Sequence, residues 1–164
     1  MKIFRADLEV GLKDKLFDIS SESLGLDEVR FSEKTFPCTI HSDAASHGYY
    51  LKGNMDVSTL EECDRCLSEF SSDRNINFSI LLTSDSKLVN NDEHDVIFFT
   101  EQDDSVDISP VLAEYIQLDR PLKELCSDEC KGLCPSCGCN LNEKDCLCTN
   151  DTADPRWDIL KKIN

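Results

Sequence analysis

The residues able to do chemistry are the ten cysteines of this 164-residue chain. Cys63 and Cys66 form one C-x-x-C pair, in Cys63-Asp64-Arg65-Cys66. Cys134 and Cys137 form another, in Cys134-Pro135-Ser136-Cys137-Gly138. Two thiolates at that spacing on a tight turn point at one ion while backbone N–H groups steady the sulfurs. Gly138 suits the positive φ that such a knuckle needs. Cys146 and Cys148 follow closely and complete a set of four with Cys134 and Cys137. Cys126 and Cys130 remain, and with Cys63 and Cys66 they complete a second set. Cys38 reads as a small buried hydrophobe in a strand, and Cys139 as a spare next to a better-placed ligand. One site with spare cysteines, or a two-metal cluster with bridging thiolates, uses the same residues.

Other cysteine chemistries ask for more. A thioredoxin-like redox pair opens a helix after a strand in a βαβ setting, and neither pair has that setting. Iron–sulfur ligation shares the spacing. Catalytic zinc keeps an open position, often with histidine and an acid nearby. His41, His47 and His94 lie outside the cysteine runs. No Ser-His-Asp pattern, phosphate loop or dinucleotide fingerprint is visible, so no catalytic residue is assigned. The acidic pairs Glu61-Glu62 and Asp103-Asp104 read as solvated charge. The reading the donors support is two structural Zn2+ ions held entirely by thiolate.

Compartment bears on this. The N-terminal residues carry charges every few positions and no apolar run, so a secretory signal is not expected. No segment is apolar for long enough to span a membrane. A cytoplasmic location follows as the expectation, and thiols stay reduced there. The formal net charge is −16, with 33 acidic against 17 basic residues. Four thiolates around one divalent ion leave a local charge of about −2, so metal does not reverse the balance. Such a chain repels nucleic acid at long range and attracts basic partners.

The elements that must position the cysteines are mostly strands. Phe36–His41, Tyr49–Leu60 and Asn75–Thr83 alternate in the manner of half-buried strands. The Cys63–Cys66 knuckle then occupies the turn of a hairpin. Residues 84–95 read as a polar loop, and 95–100 as a short buried strand. Ser109 as N-cap with Pro110 in the first turn opens a helix closed by Arg120-Pro121. Asp154-Pro155-Arg156-Trp157 repeats that signal before a short tail helix. The fold class expected is α+β: a β-rich core with a helix at its end over 1–120, able to close into a small barrel, then a cysteine-rich zinc-binding segment and tail helix over 121–164.

Taken in order, these motifs resemble the YceD family, named for large ribosomal RNA subunit accumulation. The resemblance rests on Cys63-Asp64-Arg65-Cys66-Leu67, Cys126, the run Cys130-Lys131-Gly132-Leu133-Cys134-Pro135-Ser136-Cys137-Gly138, Asn140-Leu141-Asn142, Cys146-x-Cys148 and Asp154-Pro155-Arg156. It implies a bacterial or plastid-type factor with no established enzymatic activity, whose gene often neighbours that of a small basic ribosomal protein. It carries Cys63, Cys66, Cys126, Cys130, Cys134, Cys137, Cys146 and Cys148 over as ligands, and omits Cys139, where the family usually has another residue. Ribosomal context and acidity together favour a non-enzymatic ribosome-assembly factor that binds a basic large-subunit ribosomal protein. The alternative is direct binding of precursor ribosomal RNA through Lys123, Lys131, Lys144, Lys161 and Lys162. No membrane and no small-molecule substrate is expected.

Overall fold

The computed structural model describes residues 1–89 and 95–148. His94, Lys161-Lys162 and the expected tail helix lie outside the described residues. The chain divides into two compact units, one of residues 1–61 and 71–122 and one of residues 62–70 with 123–164. None of the described helices is long and apolar enough to cross a membrane.

The first unit holds β1 (Lys2–Phe4), α1 (Arg5–Val10), β2 (Lys15–Ser20), a 3-10 turn (Ser21–Leu24) and β3 (Thr35–Ala45). β4 (Gly48–Glu62) and β5 (Glu69–Thr83) follow, then β6 (Asp95–Phe98), β7 (Ser105–Asp107) and α2 (Ser109–Leu118). The main sheet has the order β2-β3-β4-β5-β6, and β1 pairs with β7 in a small second sheet. β2 and β3 are antiparallel, as are β3 and β4, whereas β6 runs parallel to β5. The α+β, strand-rich class is the observed one. Among the described residues the sheet stays open rather than closing into a barrel, with the short strands β2 and β6 at its edges.

Alternation explains why these segments are strands. In β4, Leu51, Met55, Val57 and Thr59 are buried, and in β5 Ile76, Phe78, Ile80 and Leu82 are buried, with the alternation giving way to burial of both sides over Ile80–Thr83. Period two puts one set inward and the other outward. Gly53 falls on the inward side because there is no room for more: a Cβ there would stand 2.3 Å from the Thr39 carbonyl oxygen and 2.5 Å from the Phe78 ring. Cys38 is fully buried, as expected of a small hydrophobe, and burial pushes its thiol up to about 12.

Three sequence expectations need correcting. Residues 5–10 form a helix within a stretch that reads as β, because only Leu8 of its six residues is buried and no period shows. Ser109 is not the N-cap of α2. Ile108 holds that position with its side chain in the core, and Asp107 Oδ1 accepts the Ser109 N–H at 3.0 Å. Glu61 is not solvated: it is 6% exposed. Its oxygens accept from Arg74 Nη2 at 3.4 Å and Arg120 Nη2 at 3.0 Å, and Arg74 also donates to Thr59 Oγ1. The inward parity that buries Val57 and Thr59 carries Glu61 inward too, and two guanidiniums make that tolerable.

Removing one member of a buried ion pair strands the other charge. Glu61→Ala should therefore destabilise the fold by about 3 kcal/mol. Urea unfolding followed by far-UV circular dichroism measures it, and a loss under about 0.5 kcal/mol, the range of ordinary surface changes, would show that the network carries no stability.

Candidate metal centres

The second unit is poor in apolar side chains, and its buried cluster is small: Cys63, Cys66 and Cys130, with Phe70, Leu125 and Leu133 against them. Backbone hydrogen bonds do most of the local shaping. At the first knuckle the Leu67 N–H donates to the Cys63 carbonyl at 2.9 Å, and Leu67 takes φ 58°, the left-handed turn. At the second, the Gly138 N–H donates to the Cys134 carbonyl at 2.8 Å, with Gly138 at φ 73°. The expected glycine conformation is therefore present at Gly138, whereas Leu67 adopts it despite its side chain.

Side chains then tie the distant segments together. Asp64 and Glu124 exchange two hydrogen bonds, Asp64 N–H to the Glu124 carbonyl and Glu124 N–H to Asp64 Oδ2. Arg65 Nη1 donates to the carbonyls of Cys130 at 3.0 Å and Asp128 at 3.3 Å, while its own carbonyl accepts the Leu133 N–H. Gly132 lies so close that a Cβ there would stand 3.0 Å from the Arg65 carbonyl oxygen. Asn142 accepts the Lys131 N–H and donates to the Cys130 sulfur at 3.3 Å. Asn140 donates to Ser68 Oγ and Glu143. Spacing marks the cysteines, but it carries no sign of Arg65 as the clamp of the Cys130 backbone.

The result is two groups of thiols. The sulfurs of Cys63, Cys66, Cys126 and Cys130 all lie within 4.8 Å of one another. The Cys63–Cys130 and Cys66–Cys126 separations are both 3.7 Å. Sulfurs at about 2.3 Å from a tetrahedral zinc stand about 3.8 Å apart, so the spacing fits such an ion. The sulfurs of Cys134, Cys137, Cys139 and Cys146 form the other group within the same limit, with Cys134 and Cys146 3.3 Å apart. The structure thus gathers seven of the eight sequence candidates into two groups, with Cys139 in the second where the sequence expectation has Cys148. Among the described histidines, His41 faces Asp14 and Asp43 in the first unit.

The electrostatics of both groups suit a cation. The Cys126 backbone N–H, helped by those of Arg65 and Cys66, holds the Cys63 thiol down to about 6. The N–H groups of Cys137 and Ser136 hold Cys134 down to about 6. Their neighbours go the other way: Cys126 is pushed up to about 12 by the Cys130 sulfur, Cys139 to about 11 and Cys148 to about 12 by Cys137. Cys66 is lowered too, by hydrogen bonding to Ser68, so each group holds thiols that ionise readily beside others that resist, because like charges crowd. A divalent ion removes that resistance, so the two clusters could each bind a metal ion.

These residues lie inside a stretch with known relatives. Residues 51–164 match the family described as large ribosomal RNA subunit accumulation protein YceD. The chain belongs to the YceD family. The match starts in β4 and takes in both thiol groups. Uncharacterized proteins of Mycobacterium bovis and Mycobacterium tuberculosis are 28% identical over 122 residues, covering 74% of this chain and 58% of theirs. The chain therefore spans less than two thirds of the length of these relatives. A chloroplastic YCED homolog 1 of Zea mays, named a large ribosomal RNA subunit accumulation protein, is 40% identical over 58 residues, 35% of this chain and 20% of its own. The Arabidopsis thaliana protein of the same name is 29% identical over 72 residues, 44% and 22% of the two chains. No solved structure matches the chain.

Outer partners of metal ligands typically matter by about 10- to 100-fold in affinity. Arg65→Ala should weaken metal binding to this YceD-family chain by about that range while leaving every sulfur in place. Competition with a chelator of known zinc affinity reads it, and unchanged affinity would remove Arg65 from the account.

Proposed function

We propose that this YceD-family chain is a non-enzymatic factor supporting large-subunit ribosomal RNA accumulation, and that it works by holding a basic large-subunit ribosomal protein. Two structural zinc ions shape its second unit. Cys63, Cys66, Cys126 and Cys130 hold one; Cys134, Cys137 and Cys146 hold the other with a fourth thiolate. The observation that carries the partner reading is charge: 33 acidic residues against 17 basic. The outward side of the main sheet supports it, with Asp43, Asp56 and Asp73 exposed and Lys52 among them. A basic protein is drawn to such a chain, and RNA is repelled.

The RNA reading has less support. Lys123, Lys131 and Lys144 are exposed, yet Asp128, Glu129, Glu143 and Asp145 are exposed among them. Affinity capture from a bacterial lysate at low and at physiological salt tests the partner. The expected capture is a basic ribosomal protein, held less tightly as salt rises. RNA without any ribosomal protein would overturn the reading.

The metal stoichiometry is tested separately. The wild type should carry two zinc ions by elemental analysis of the purified protein. Cys63→Ser and Cys134→Ser should each retain one. If both variants lose everything, or either loses nothing, two independent sites are not present.

A further inference from the structure

Within the second unit one short segment belongs to both thiol groups. Asn140-Leu141-Asn142 lies between Cys137 and Cys146, two members of the second group. Its backbone is part of the second knuckle: the Leu141 N–H donates to the Gly132 carbonyl at 2.9 Å, and Asn140 forms an antiparallel bridge with Leu133. Its side chains reach the first. Asn142 Nδ2 donates to the Cys130 sulfur at 3.3 Å. Asn140 Nδ2 donates to Ser68 Oγ at 3.2 Å, and the Ser68 carbonyl in turn accepts the Cys63 N–H at 3.0 Å.

The orientation of the Asn142 amide follows from its other partners. Its Oδ1 accepts the Lys131 N–H at 2.8 Å, and its Nδ2 also donates to Asn140 Oδ1 at 2.9 Å. Reversing the amide would set oxygen against oxygen and an NH2 group against an N–H, so the group facing Cys130 is the donor. A donor aimed at a metal-bound thiolate draws off part of the negative charge that four sulfurs leave around a divalent ion.

We propose that Asn142 couples the two metal centres, so that filling the second raises the affinity of the first. With Cys137 and Cys146 on one ion, the segment that carries Asn142 is closed at both ends. The entropy of holding the amide against Cys130 is then already lost before the first ion binds. With the second centre open, that ordering falls on the first centre and weakens it. The coupling is reciprocal: an ion on Cys63, Cys66, Cys126 and Cys130 raises the affinity of the second centre by the same factor.

The inference rests on the reading that both groups hold zinc, and the test separates the two. Wild type, Cys63→Ser and Cys134→Ser are titrated with zinc against a chelator of known affinity. The product of the two dissociation constants in the wild type should be about tenfold smaller than the product of those of the two single-centre variants. Coupling of that size leaves each single-centre variant its one ion on purification, since structural thiolate sites bind zinc far more tightly than that margin. With Asn142→Ala added to all three chains, the ratio should fall to about one. Cobalt in place of zinc reads the hydrogen bond itself and needs no cysteine variant. A hydrogen bond holds the sulfur lone pairs down, so Asn142→Ala should move a sulfur-to-cobalt absorption band to lower energy. A ratio of one in the wild type overturns the coupling. A tenfold ratio that persists in Asn142→Ala, or a cobalt band that does not move, overturns Asn142 as its carrier. A wild type that binds fewer than two ions overturns the underlying reading itself.

Discussion

Sulfurs held 3.7 Å apart repel one another once ionised, and the second unit of this protein is organised around that repulsion. Backbone N–H groups lower Cys63 and Cys134, while Cys126 and Cys139 beside them rise. A divalent ion turns that conflict into cohesion, because each ionised sulfur then meets positive charge. Among the described residues Phe70, Leu125 and Leu133 pack beside the buried sulfurs. Small units without a sizeable apolar core commonly draw stability from metal or disulfide, and metal is the reading proposed above for these free thiols.

The first unit solves the opposite problem by ordinary means. Its core is a continuous apolar layer from Ile40, Leu51 and Met55 through Ile80 and Leu82 to Leu112 and Ile116. The one charged intrusion, Glu61, is met by Arg74 and Arg120. Helix α2 is anchored from its exposed side as well, where the Tyr115 hydroxyl bonds the Ser79 backbone and its ring meets Phe78 edge to face. β4 and β5 carry the chain between the two units, with residues 62–70 counted in the second. Two long strands are thus asked to serve an apolar core at one end of their sequence and a thiol group at the other.

That division of labour bears on function. The chain is acidic, and the family to which it belongs is named for large ribosomal RNA subunit accumulation. An acidic surface attracts basic partners and repels nucleic acid at long range.

How much was legible beforehand follows from locality. The C-x-x-C pairs declare themselves because both sulfurs of a pair come from one turn, and the alternation in β4 and β5 declares its strands because the period is local. The helix stop signalled by Arg120-Pro121, met by a helix ending at Leu118, and the burial of Cys38 were readable for the same reason. Residues 5–10 gave no such signal, since one buried leucine in six residues has no period. The sequence by itself determined which residues could bind metal and which segments could be strands. Only the tertiary structure decided that Glu61 is buried between two arginines, that Arg65 clamps Cys130, and that Cys139 joins its neighbours. These depend on contacts between segments far apart in the chain or on the exact path of a turn, and residue types and spacing do not encode either.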